Sequence, residues 1–131
     1  MSFLLDADVL IALTHPEHEH HERARRWVAA TEAPVAVCPV VEGALVRFMI
    51  RIGHAPGTVT LLLSRLAAMP GYQWWPDSVS YREVNLSGLR GHRQVTDAYL
   101  VALAMAHGAQ LATLDAGLRV AHPEGSLLIP D

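Results

Sequence analysis

Phe3-Leu4-Leu5-Asp6-Ala7-Asp8-Val9-Leu10-Ile11-Ala12-Leu13 is the stretch from which the fold is read. Three apolar residues run straight into an acid, and apolar residues resume straight after a second acid. A short unbroken apolar run with a polar residue at its end is the pattern of a strand buried on both faces. Asp8 suits the N-cap of a helix beginning at Val9. Asp6 then falls at the carboxyl end of a central strand, where open α/β sheets build their sites. A carboxylate in such an apolar frame is costly unless a cation or hydrogen bonds compensate it, which makes Asp6 a functional candidate.

Further along, the spacing predicts a helix over 17–30, with acids in its first turn and arginines later, as the helix dipole prefers. Val35-Ala36-Val37-Cys38 is a short buried strand, ended by Pro39. Pro39–Ile52 reads as a helix with proline in its first turn and with Val41, Leu45, Phe48 and Ile52 on one face. A helix over Gly57–Met69 turns Val59, Leu62, Leu63 and Leu66 inward. Tyr72–Trp75 reads as a strand, Ser78–Leu86 as a helix, and Gly88–Gln94 as a polar loop. Thr96 can cap a helix from Asp97 to His107, followed by strands at Gln110–Thr113 and Leu127–Ile129. Strands alternating with helices indicate an α/β domain with a mostly parallel sheet of four to five strands.

At 131 residues the chain suits one domain, spanning 1–131. No apolar run approaches the ~18–20 residues that span a bilayer, so no membrane association is expected. The first residues carry no basic segment of the signal-peptide kind. Cys38 is the only cysteine, so no internal disulfide is possible and a reducing cytoplasm is the expected location. Net charge is −3, which by itself does not favour a nucleic-acid binder. All ten basic residues are arginine, the side chain suited to bidentate phosphate contacts.

Four acids share one placement, each at a strand end or a helix start: Asp6, Glu42, Asp97 and Asp115. In a parallel sheet these points lie along one edge. Four carboxylates together repel strongly, and some stay protonated without a counter-charge. A hard divalent cation resolves this, and with no thiolate cluster Mg²⁺ or Mn²⁺ fits best. Such an ion lowers the pKa of a bound water and neutralises charge on a phosphate. The competing account is structural: Glu42 and Asp97 as helix starts, Asp115 as a turn residue before Gly117.

Four blocks then carry a resemblance. They are Leu4-Leu5-Asp6-Ala7-Asp8-Val9-Leu10, Pro39-Val40-Val41-Glu42-Gly43-Ala44-Leu45-Val46-Arg47, Gly91-His92-Arg93-Gln94-Val95-Thr96-Asp97-Ala98-Tyr99-Leu100 and Leu111-Ala112-Thr113-Leu114-Asp115. In this order they resemble the PIN-domain ribonucleases, specifically the VapC-type toxins of bacterial toxin–antitoxin pairs. The resemblance implies a three-layer fold with helices on both faces of the sheet. It implies that Asp6, Glu42, Asp97 and Asp115 form an acidic quartet that binds Mg²⁺ or Mn²⁺ and cuts RNA. Asp6 and Asp97 would hold the main metal, directly or through water, with Asp115 and Glu42 completing the site. Thr113 matches the family's hydroxyl residue before the last acid, and Asp8 stands where Asn, Ser or Thr is commoner. Arg47, Arg90 and Arg93 are the expected phosphate contacts. The implied partners are an RNA substrate, a VapB-type antitoxin laid in an apolar groove, and a second copy in a homodimer. Helices 39–52 and 57–69 could line that groove or the dimer interface.

Other classes fit less well. Asp6-Ala7-Asp8-Val9 also resembles the nucleophile motif of haloacid-dehalogenase-like phosphatases, but that chemistry normally needs a lysine, and the chain has none. A receiver domain is disfavoured on the same ground. His18-Glu19 begins like H-E-x-x-H, yet Glu22 occupies the closing position. A non-catalytic PIN-like binding module is opposed by the presence of all four acids.

Overall fold

Five strands carry the fold, in a computed structural model that describes residues 1–131: β1 (Phe3–Leu5), β2 (Val35–Val37), β3 (Tyr72–Trp74), β4 (Gln110–Thr113) and β5 (Ser126–Leu128). They form one sheet in the order β3-β2-β1-β4-β5, and every pairing is parallel. The helices are α1 (Ala7–Thr14), α2 (His21–Ala30), α3 (Pro39–Arg51), α4 (Pro56–Ala67), α5 (Val95–Ala106) and α6 (Ala116–Ala121). The chain steps outward from β1 to β2 to β3, then returns past β1 to lay down β4 and β5. Right-handed crossovers place α1–α4 on one face and α5 and α6 on the other, the three layers expected. The step direction reverses between β1 and β4, and that reversal opens a crevice at the carboxyl ends of these two strands.

The opening stretch behaves as a central strand must. Leu4, Leu5, Val9 and Leu10 are fully buried, as are Leu100 and Leu103 of α5 and Leu111 and Ala112 of β4. Each such leucine contributes roughly 1.5–3 kcal/mol of burial. Two glycines seat α5. Gly108, at φ +66°, turns the chain from α5 into β4 in a conformation that side chains rarely adopt. At Gly125, before β5, a β-carbon would come within 2.6 Å of the Val101 side chain and 2.9 Å of the Met105 side chain, both on α5, so a larger residue would force these side chains to shift.

Several helix boundaries differ from the sequence reading. Asp6, not Asp8, is the N-cap of α1: its Oδ1 accepts the Ala7 N–H at 2.8 Å, and Asp8 lies in the first turn. The Asp6 backbone still serves the sheet, since its N–H donates to Ala112 O at 2.9 Å. The α2 helix begins at His21 rather than Glu17, because the His18 ring accepts the His20 N–H at 3.0 Å and turns the chain first. Ser78–Leu86 forms a single 3₁₀ turn, Tyr81–Glu83, capped by Ser80. Val95 rather than Asp97 opens α5, which puts Thr96 inside its first turn and not at its cap. The α6 helix was not expected at all; it is one short segment begun by Asp115. On α3, Met49 is buried while Ile52 is exposed, so the inward face runs Val41-Leu45-Met49.

Candidate active site

Asp6 follows β1 directly, and Thr113 ends β4, the strand beside it. The Thr113 hydroxyl donates to Asp6 Oδ2 at 2.8 Å and accepts the Asp115 N–H at 3.1 Å. One side chain therefore ties together an acid after β1 and an acid after β4. Asp8 reaches the same place from the first turn of α1, where its Oδ1 accepts the Leu114 N–H at 3.4 Å. Asp8 Oδ2 stands 3.5 Å from the Thr113 hydroxyl, whose single proton serves the shorter contact to Asp6. Asp115 Oδ1 accepts the Gly117 and Leu118 N–H groups at 2.8 and 3.2 Å, which starts α6. Asp97 sits in the first turn of α5, which leads down to the amino end of β4 and so begins at the carboxyl edge of the sheet.

These aspartates feel one another. Burial raises the Asp6 carboxyl above its ordinary value; the Thr113 hydroxyl and the Ala7 N–H oppose the rise, and the charge of Asp115 adds to it. Burial and the charge of Asp6 push Asp8 up to about 7. Burial and the charges of Asp6 and Asp115 push Asp97 up to about 6. The salt bridges of the molecule, His20–Glu19, Arg23–Asp131 and Arg25–Glu22, include none of these acids. The pocket is thus a set of oxygen donors with no cationic side chain within salt-bridge distance.

That donor set fits a hard divalent ion by its chemistry. No group of three or more His, Cys, Asp or Glu side chains converges to direct metal-binding distance. Mg²⁺ does not require such a group: it is held through one or two carboxylates and keeps several waters, which can reach the remaining acids. No histidine or thiol cluster competes. His21 Nδ1 is engaged with Ala12 O at 2.8 Å, and the Cys38 thiol is buried and pushed up to about 11.

Glu42 has a different setting. It lies in the first turn of α3, after β2, and its Oε1 accepts the Trp74 indole N–H at 3.2 Å. The charges acting on Asp8 and Asp97 are those of Asp6 and Asp115, not of Glu42. The structure therefore gathers Asp6, Asp8, Asp97, Asp115 and Thr113, and holds Glu42 beside Trp74 on the β2–β3 side. Arg90, Arg93, Asp97, Asp115 and His122 line one cleft of about 730 Å³. Arg47 is exposed on α3, two strands away from β4. The signal for Trp74 in the sequence is only an aromatic pair, Trp74-Trp75, at the end of a strand on the acidic edge.

Comparison with known proteins follows the same lines. The PIN domain family model matches residues 3–122. The chain is 45% identical over 130 residues to Ribonuclease VapC29 of Mycobacterium tuberculosis, covering 99% of this chain and 98% of that protein. It is 36% identical over 128 residues to Ribonuclease VapC39 of the same organism, covering 90% and 91%. Among solved structures it superimposes on Mycobacterium tuberculosis VapC20, described as a sarcin–ricin-loop-cleaving toxin, with a TM-score of 0.70 at 16% identity, covering 91% of this chain and 94% of that one. It also superimposes on a toxin–antitoxin complex from Klebsiella pneumoniae, with a TM-score of 0.71 at 17% identity and 98% coverage of both chains.

Proposed function

This chain belongs to the PIN-domain family, among its VapC-type toxins, and from that premise we propose that it is an endoribonuclease whose site is the aspartate pocket between β1 and β4. The observation that carries the assignment is that Asp6, Asp97 and Asp115, far apart in the chain, come close enough for their charges to act on one another, with no salt bridge to any of them. The unit that acts is the whole of residues 1–131, taken as one domain.

Asp6 and Asp97 would hold Mg²⁺ or Mn²⁺, directly or through water, and Asp115 would complete the site. When bound, the ion lowers the pKa of its water and neutralises charge gathering on the phosphate. Thr113 fixes the Asp6 carboxylate through Oδ2 and fixes the Asp115 backbone through its own oxygen. Asp115 keeps Oδ2 clear of the contacts that start α6. Asp8, pushed up to about 7 by burial and by the charge of Asp6, holds a proton more readily than an ordinary carboxyl, which eases its place beside Asp6. Arg90 and Arg93, in the cleft with Asp97 and Asp115, meet the RNA phosphates on one side, and Arg47 meets them on the other. Glu42 acts from the flank, on the water or on a second ion.

The partner is a VapB-type antitoxin. A cleft of about 310 Å³ among Thr14, His15, Met49, Val59, Leu62 and Arg65 joins the ends of α1 and α3 to α4 and fits an apolar segment of it. Ile50, Ile52 and Leu61, exposed nearby, would be covered by the antitoxin or by a second copy in a homodimer. No helix is long and apolar enough to cross a membrane, and action on RNA suits the cytoplasm. Purified protein should cleave single-stranded RNA, EDTA should stop it, and Mn²⁺ or Mg²⁺ should restore it. Undiminished cleavage in EDTA, or by a folded Asp6→Asn variant, contradicts the assignment.

A further inference from the structure

Of the three tryptophans, Trp27 packs edge-on against Phe3 with centroids 5.2 Å apart, and Trp75 is buried and stacked on His107. Trp74 alone is open to solvent, with 52% of its surface exposed. Leaving so large an apolar ring in water forgoes its burial energy, and exposed aromatic rings are a common means of binding. Its position is specific. Trp74 ends β3 and pairs with Val37, while Ala36 pairs with Leu4, so Trp74 stands level with Leu5, one residue before Asp6. Two strand spacings separate β3 from β1, about 10 Å, or roughly three stacked nucleotides at about 3.4 Å each.

The ring is also held. Its N–H donates to Glu42 Oε1 at 3.2 Å. An indole N–H lies in the ring plane, so this bond fixes the edge without covering a π face. No aromatic ring of the chain stacks on Trp74. Arg47 folds back along α3 until its Nη1 lies 3.6 Å from where a Gly43 β-carbon would stand, next to Glu42 in sequence. It has no carboxylate within salt-bridge distance. An oriented aromatic face and a free guanidinium thus flank the acidic pocket on the side away from Arg90 and Arg93.

We propose that Trp74 is a stacking platform for one unpaired base of the RNA substrate, pre-oriented by Glu42, with Arg47 taking an adjacent phosphate. This rests on the ribonuclease reading. Stacking tolerates any base, so the platform sets the path of the strand and the distance from the stacked base to the cut, without dictating its identity.

The test uses the full-length protein with Mn²⁺ and a labelled single-stranded RNA of mixed sequence, comparing wild type with Trp74→Ala and Trp74→Phe. Loss of stacking should raise KM by roughly five- to 150-fold in Trp74→Ala with kcat nearly unchanged. Trp74→Phe, which keeps a ring but loses the N–H, should stay within about threefold of wild type, a small part of that loss. A series of substrates with one abasic nucleotide each should show a single position at which wild type loses affinity and Trp74→Ala loses no more. If both variants lower kcat equally, the indole only positions Glu42 and the proposal is wrong. An unchanged KM in Trp74→Ala, or a change confined to oligomeric size or antitoxin affinity, also rejects it. A wild-type protein that does not cut RNA in Mn²⁺ rejects the ribonuclease reading itself, and the platform with it.

Discussion

The two halves of the carboxyl edge hold their acids in opposite ways. On the β1–β4 side, Asp6, Asp8 and Asp97 are partly or largely withdrawn from water; burial raises all three above the ordinary carboxylate value, and the charges of Asp6 and Asp115 add to the rise at Asp8 and Asp97. On the β2–β3 side, Glu42 is half-exposed and already has a partner in the Trp74 indole. The first arrangement stores repulsion that a cation can relieve. In the second, the carboxylate accepts the indole N–H. Acids that look equivalent in sequence thus stand in two different settings, one among other carboxylates and one against an indole.

The widest separation should come from removing single charges. Asp6→Asn and Asp97→Asn should each reduce RNA cleavage by more than about a hundredfold, with circular dichroism unchanged, whereas Glu42→Gln should cost about tenfold. Equal losses at Glu42 and Asp6 would erase the division. Next, Thr113→Val deprives Asp6 of its 2.8 Å hydrogen bond and should weaken Mn²⁺ binding by about 10–100-fold in a titration, while Thr113→Ser should retain most of it. Retention of full Mn²⁺ affinity by Thr113→Val would mean that Asp6 orients itself without help.

Smaller effects should appear in stability. The folded-state values of Asp8 and Asp97, about 7 and about 6, lie above the ordinary carboxylate range. The stability these protons bring is fully present below the unfolded values and is lost as pH rises through the folded ones. Metal-free protein in EDTA should therefore unfold at a higher temperature at about pH 5.5 than at about pH 8. Mn²⁺ should raise the midpoint most at the higher pH. Asp8→Asn should flatten the metal-free profile and raise its alkaline end, because a buried charge facing Asp6 is gone. A profile that keeps its slope in Asp8→Asn would move the source of repulsion to Asp97.

How much of this was legible beforehand varies by element. The central strand was, because Phe3-Leu4-Leu5 is apolar without alternation and only a doubly covered strand tolerates that. The parallel order followed from alternating strands and helices. Helix starts were the weak point. Asp6 and Asp8 are both good caps, and the choice between them is made by the β1–β4 pairing, which holds the Asp6 N–H on Ala112. The His18 ring bond that delays α2 and the six-residue α6 left no apolar period to read. The partnership of Trp74 with Glu42 links residues 32 apart through the β2–β3 register and could not be seen in either alone.

By itself, then, the amino-acid order determined which residues would avoid water and which acids would stand at the ends of strands, since both depend on local pattern. Which acids would act on one another was decided only in three dimensions. The chain reverses direction across the sheet between β1 and β4, and the strength of Coulomb interaction depends on distance and burial, neither of which is a property of sequence position.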